Sequence, residues 1–98
     1  MELNLDNLAS ASGLSKFHFN RTFLKITGTT PWNYLTKIRL EKSIELMQTE
    51  KYNFEEISRL VGFSSGNYFC KVFRKFLGTS PGKFREEHFN YQNYHIKL

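Results

Sequence analysis

A chain that repeats itself at a fixed interval is built from copies of one small unit, and this sequence does so at an offset of 49 to 50 residues. Asn4-Leu5-Asp6-Asn7-Leu8 returns as Asn53-Phe54-Glu55-Glu56-Ile57, and Gly13-Leu14-Ser15 returns as Gly62-Phe63-Ser64. After one inserted residue, Phe19, Phe23, Lys25, Gly28, Thr29 and Pro31 recur as Phe69, Phe73, Lys75, Gly78, Thr79 and Pro81. Each copy of roughly 40 residues is too small for a self-sufficient core, so within one 98-residue domain both must share apolar surface.

Signals for starting and stopping helices fall at matching places in the two copies. Asn4 and Asn53 are N-cap candidates, the second with Glu56 placed for a capping box. Gly13 and Gly62 end a first helix; Ser15 and Ser64 offer oxygens to the second, which Gly28 and Gly78 close. Pro31 and Pro81, each behind a Thr or Ser, suit the first position of a further helix. Between the copies, Trp32 to Thr49 is apolar on two sides, Leu35, Ile38 and Leu46 on one and Leu40, Ile44 and Met47 on the other, with Trp32 packing beneath it. Such a helix is buried twice, against both repeats. The expected fold is all-α, with about seven helices and two helix-turn-helix subdomains joined by a long linker helix. The expected boundaries are 1–30 for the first unit, 31–50 for the linker, 51–88 for the second unit and 89–98 for a tail.

The second helix of each copy carries the chemistry. Helical spacing puts Phe19, Thr22, Phe23 and Ile26 on the core side of the first, with Phe17, Asn20, Arg21, Leu24 and Lys25 opposite. In the second, Phe69, Val72, Phe73 and Phe76 face the core, and Asn67, Lys71 and Arg74 lie opposite, flanked by Cys70 and Lys75. The net charge of +5 hides a sharper segregation. Asn7–Leu40 holds no acid but Lys16, Arg21, Lys25, Lys37 and Arg39; Ile57–Arg85 holds none but Arg59, Lys71, Arg74, Lys75, Lys83 and Arg85. Two basic helices call for a polyanionic partner.

Duplex DNA fits these residue types. The major groove admits one α-helix, Arg and Lys donate to guanine, Asn pairs with adenine, and an apolar group meets a thymine methyl. Phe17, Asn20 and Arg21 supply that set in the first helix, and Asn67, Lys71 and Cys70 in the second. Lys25, Arg74 and Lys75 sit better for phosphates. Phe17 also suits a core position. A linker of about 18 residues is about 27 Å long, of the order of the roughly 34 Å between half-sites of paired readers. Two adjacent major grooves are then within reach.

With those residues in place, the chain resembles the DNA-binding domain of the AraC/XylS family of bacterial regulators from Leu5 to about Glu87. The resemblance rests on Arg39-Leu40, Ile57-Ser58, Val61-Gly62-Phe63, Tyr68-Phe69, Phe73-Arg74-Lys75, Gly78-Thr79-Ser80-Pro81 and Phe84-Arg85. It implies seven helices in a homeodomain-like arrangement and binding of promoter DNA. It also implies base contacts from Lys16, Phe17, Asn20 and Arg21, and from Ser65, Gly66, Asn67, Cys70 and Lys71. Gly66 departs from the longer polar residue often found there, which assigns the second unit more to backbone anchoring. Most relatives carry a separate sensing or dimerisation domain, so this chain is expected to be an excised domain or, second, a stand-alone regulator; RNA polymerase is a further partner such regulators meet.

Other classes have less in their favour. One cysteine, Cys70, rules out an internal disulfide framework and reads as a small neutral residue rather than a redox sensor. His18, His88 and His95 lack ligand spacing, so no metal or other cofactor is expected, and no nucleophile, base and orienting group assemble into an enzyme. Glu41 and Glu45 lie one turn apart beside Lys37 and Lys42, a solvated charged face. No apolar run approaches the roughly 18 residues of a membrane span, and no secretion signal opens the chain, so bacterial cytoplasm is the expected location. The alternative function is a protein-interaction module using Phe17, Leu24 and the tail aromatics to bind polymerase or a sensor domain.

Overall fold

The structure is a computed structural model that describes residues 10, 11 and 13–87. Among them are five helices and no strand: α1 (Lys16–Thr27), α2 (Pro31–Gln48), α3 (Phe54–Leu60), α4 (Gly66–Leu77) and α5 (Pro81–Glu87). Five helices are thus described, against about seven expected for the whole chain. Pro31 is the first residue of the 18-residue linker helix, which no further Pro and no Gly interrupts. Of the helix expected between Asn4 and Gly13, only Ser10, Ala11 and Gly13 are described, the first two helical and Gly13 at φ 74°; the tail from Phe89 to Leu98 lies outside the described residues.

Local chemistry explains the ends. Asn53 Oδ1 accepts from the Glu56 N–H at 2.8 Å while Glu56 Oε1 accepts from the Asn53 N–H at 3.0 Å, closing the capping box of α3. Thr30 and Ser80 hydroxyls accept from the N–H groups of Asn33 and Lys83, so both prolines sit just inside capped N-termini. Gly28 and Gly78 hold φ values of 79° and 78°, a left-handed conformation that stops α1 and α4, and each donates its N–H four residues back. The inserted residue of the second copy moves the helix cap one position on. Ser65, not Ser64, accepts from the Tyr68 N–H at 3.1 Å, as Ser15 does from His18 in the first copy.

The chain forms two compact units that divide inside α2, between Ile38 and Arg39. In the unit ending at Ile38, the rings of Phe19, Phe23 and Tyr34 form a row with centroids 5.7 and 5.5 Å apart, and Leu35 is buried. Thr22 and Ile26 do not join this row; Ile26 is 77% exposed. Tyr34 packs edge-on against Phe23, while Thr22 and Ile26 are exposed.

The unit from Arg39 onward has a core rich in aromatic rings. Leu40, Ile44 and Met47 of α2 pack with Ile57, Val61, Phe63, Phe69, Val72, Phe73 and Phe84. Rings run Phe63, Phe69, Phe73, Phe84 at successive centroid distances of 5.4, 5.7 and 5.5 Å, in tilted or edge-on contact. Leu46, assigned by spacing to the opposite side of the linker, packs against this same core. Arg85 ties α5 down: its guanidinium lies 4.8 Å from the Phe54 ring centre and donates to the Met47 carbonyl at 3.3 Å.

Candidate nucleic-acid interface

α1 buries no residue completely, and its outward side carries the residues singled out from the sequence. Lys16, Phe17, Asn20, Arg21 and Lys25 are all exposed. Phe17, compatible in sequence with core or surface, is 67% exposed, and the Arg21 guanidinium lies 5.3 Å from its ring centre. That cation–π contact restrains a long, mobile donor without consuming its N–H groups. Leu24, 48% exposed, continues the surface towards Trp32, and a groove of about 330 Å³ runs between Phe17, Asn20, Arg21, Leu24, Pro31 and Trp32. Trp32 is thus at a groove rim, 38% exposed, rather than beneath the linker helix.

α4 is more sharply two-sided. Gly66, Phe69, Val72 and Phe73 are buried, while Asn67, Lys71, Arg74 and Lys75 are exposed. Cys70 is half-buried and packs against the core, a position at the margin of the polar face. Ser65 caps the helix with a lone pair and keeps its hydroxyl proton as a donor. Each helix therefore presents an amide side chain and a cation near its start: Asn20 and Arg21 in α1, Asn67 and Lys71 in α4. Lys25 and Arg74–Lys75 lie a turn or more further along.

Two cations of the basic stretches are not part of this surface. The Arg39 side chain lies across Gly62, where an added Cβ would come within 3.0 Å of Nε, and burial lowers its guanidinium pKa while Tyr68 partly offsets the shift. Arg85 is committed to Phe54 and Met47, as described above. Glu41 and Glu45 stay on a charged helix face, with Glu45 paired to Lys42 at 3.2 Å. Among the described residues, no group of three His, Cys, Asp or Glu side chains is arranged to hold a metal ion, and no helix is long and apolar enough to cross a membrane.

Residue-by-residue reading missed two groups at the start of α4. Tyr68 is 41% exposed with its ring edge-on to Phe63, and it occupies the place that His18 holds in α1. The repeat offset alone points to it. Glu55 accepts from the Gly66 N–H at 3.0 Å, a contact across 11 residues that no local pattern announces.

Comparison with known proteins agrees with this layout. A family model described as a helix-turn-helix domain matches residues 8–87. The probable transcription factor PqrA of Proteus vulgaris is 36% identical over 84 residues, covering 86% of this chain and 69% of PqrA. The DNA-binding domain of AdpA, solved in complex with a target DNA, superposes with a TM-score of 0.79 at 29% identity, over 89% of this chain and 78% of that one. An AraC-type regulator from Chromobacterium violaceum gives a TM-score of 0.75 at 28% identity, over 94% and 80% of the two chains. Several other curated relatives are matched over only 27–31% of their own length. From the repeated helix pair, its shared caps and these similarities, the chain belongs to the AraC family of helix-turn-helix transcriptional regulators.

Proposed function

We propose that the chain binds double-stranded promoter DNA in a sequence-specific manner, each of α1 and α4 entering a major groove by its N-terminal half. The observation that carries this is the recurrence, at matching repeat positions, of exposed cations, Arg21 with Lys71 and Lys25 with Lys75, on helices whose opposite sides pack inward. Asn20, Arg21 and Phe17 read base edges from α1, and Asn67 and Lys71 from α4, with Lys16, Ser65 and Cys70 beside them. Lys25, Arg74 and Lys75 contact phosphates. The DNA-bound AdpA domain and the family's transcription regulators support this reading over an enzyme. The site operates in the bacterial cytoplasm, with RNA polymerase as a further partner and a separate sensing or dimerisation domain in the whole regulator.

Selection of bound duplexes from a random pool, followed by titration of the winner and a scrambled duplex at two salt concentrations, tests the proposal. A recovered consensus with half-sites, bound at least about 10³-fold more tightly than the scramble, is the expected result. No consensus, or no affinity at low salt, overturns it and returns the exposed Phe17 and Leu24 to a protein-contact role.

A further inference from the structure

The amide of Gly66 is one of the orphan donors at the start of α4, and it donates to Glu55 Oε2 at 3.0 Å. Glu55 stands in the first turn of α3, with its own carbonyl accepting from the Ser58 hydroxyl at 2.7 Å and its second carboxylate oxygen 3.8 Å from Arg59. The start of α4 is thus held from two sides: by Ser65 within its own turn and by Glu55 from the preceding helix. The carboxylate also fills the space that a Cβ at residue 66 would need. Gly66 is buried and faces α3, so its missing side chain is no gap in the reading face; it is the condition on which Glu55 reaches the amide.

Building on the DNA-binding reading above, we propose that Glu55 is the positioning residue of the second recognition helix: it fixes the seating at which α4 presents Asn67 and Lys71, and Gly66 leaves its carboxylate room at the amide. Hydrogen bonds to base edges tolerate only tenths of an ångström and limited angular error, so the attachment at the start of the helix decides whether both side chains reach one site together. The Glu55 side chain is about half exposed, at 51%, and carries negative charge beside a surface meant for phosphates. The same group that sharpens sequence preference therefore weakens binding to every duplex alike.

Four variants of the 98-residue chain, E55Q, E55A, G66A and E55A/G66A, separate these roles, with affinities measured on a selected duplex and a scrambled one and thermal midpoints measured without DNA. E55Q keeps an oxygen for the Gly66 N–H but loses the charge; it should hold the preference ratio within about twofold while binding both duplexes several-fold more tightly. E55A should lower the ratio about tenfold. G66A should lower the thermal midpoint and the ratio together, and adding E55A should raise the midpoint part of the way back, since the blocking carboxylate is gone. E55A with an unchanged ratio, or G66A with an unchanged midpoint, overturns the proposal. If the parent chain shows no preference between duplexes, the functional reading fails, while the midpoint cycle still decides whether Glu55 and Gly66 are coupled.

Discussion

Arg21 illustrates how one side chain acquires a role from its neighbours. Its guanidinium is exposed, always charged, and laid against Phe17, so the donors arrive at a groove partly ordered rather than freely rotating. Arg21→Ala should weaken the selected duplex by about 1–3 kcal/mol and relax preference at one base pair, as read by repeating the selection. Lys25→Ala should instead weaken all duplexes alike, leaving the consensus intact. Inside the second unit the decisive residue is Phe73, fully buried between the Phe69 and Phe84 rings. Phe73→Ala should cost about 3–5 kcal/mol in denaturant unfolding, because the two rings edge-on to it cannot collapse into the space it leaves.

At the scale of the element, the helices are delimited by side chains that were visible in advance. A Cβ at Gly78 would meet no atom within 4 Å, so Gly78→Ala isolates backbone strain from packing. It should destabilise the chain by about 1–2 kcal/mol, measured by thermal unfolding, since an L-residue is held at φ 78°. Ser65→Ala should cost about 1 kcal/mol through the lost cap; Ser64→Ala should be nearly neutral, which distinguishes the cap the structure uses from the one the repeat offset suggests. The single helix Pro31–Gln48 shows the opposite situation. Its continuity was plain from the lack of breakers after Pro31.

For the molecule as a whole, electrostatics is set by distribution rather than by the net charge of +5. Replacing Lys25, Arg74 and Lys75 together by Ala should flatten the slope of log affinity against log salt by about 2–3, at about 0.9 per phosphate contact, while the consensus stays the same. A consensus that changed with these three replacements would move them from backbone to base contacts. Arg39 and Arg85 should contribute little to that slope, since one lies across Gly62 and the other is spent on Phe54 and the Met47 carbonyl.

Much of this protein follows from its sequence alone. The 49-to-50-residue repeat, the capping residues and the glycine stops dictate paired helices, because they depend on interactions within four or five residues of chain. The identity of the outward residues on α1 and α4 follows from helical spacing and from the absence of acids nearby. Tertiary structure decided what spacing leaves open: that Ile26 turns outward and Leu46 inward, that Arg39 lies across Gly62 and Arg85 is tied to Phe54 and Met47, and that Gly66 faces Glu55 instead of solvent. Each of these depends on which neighbouring helix covers which edge. The Glu55 contact spans 11 residues across a turn, and no periodic pattern records a hydrogen bond of that kind.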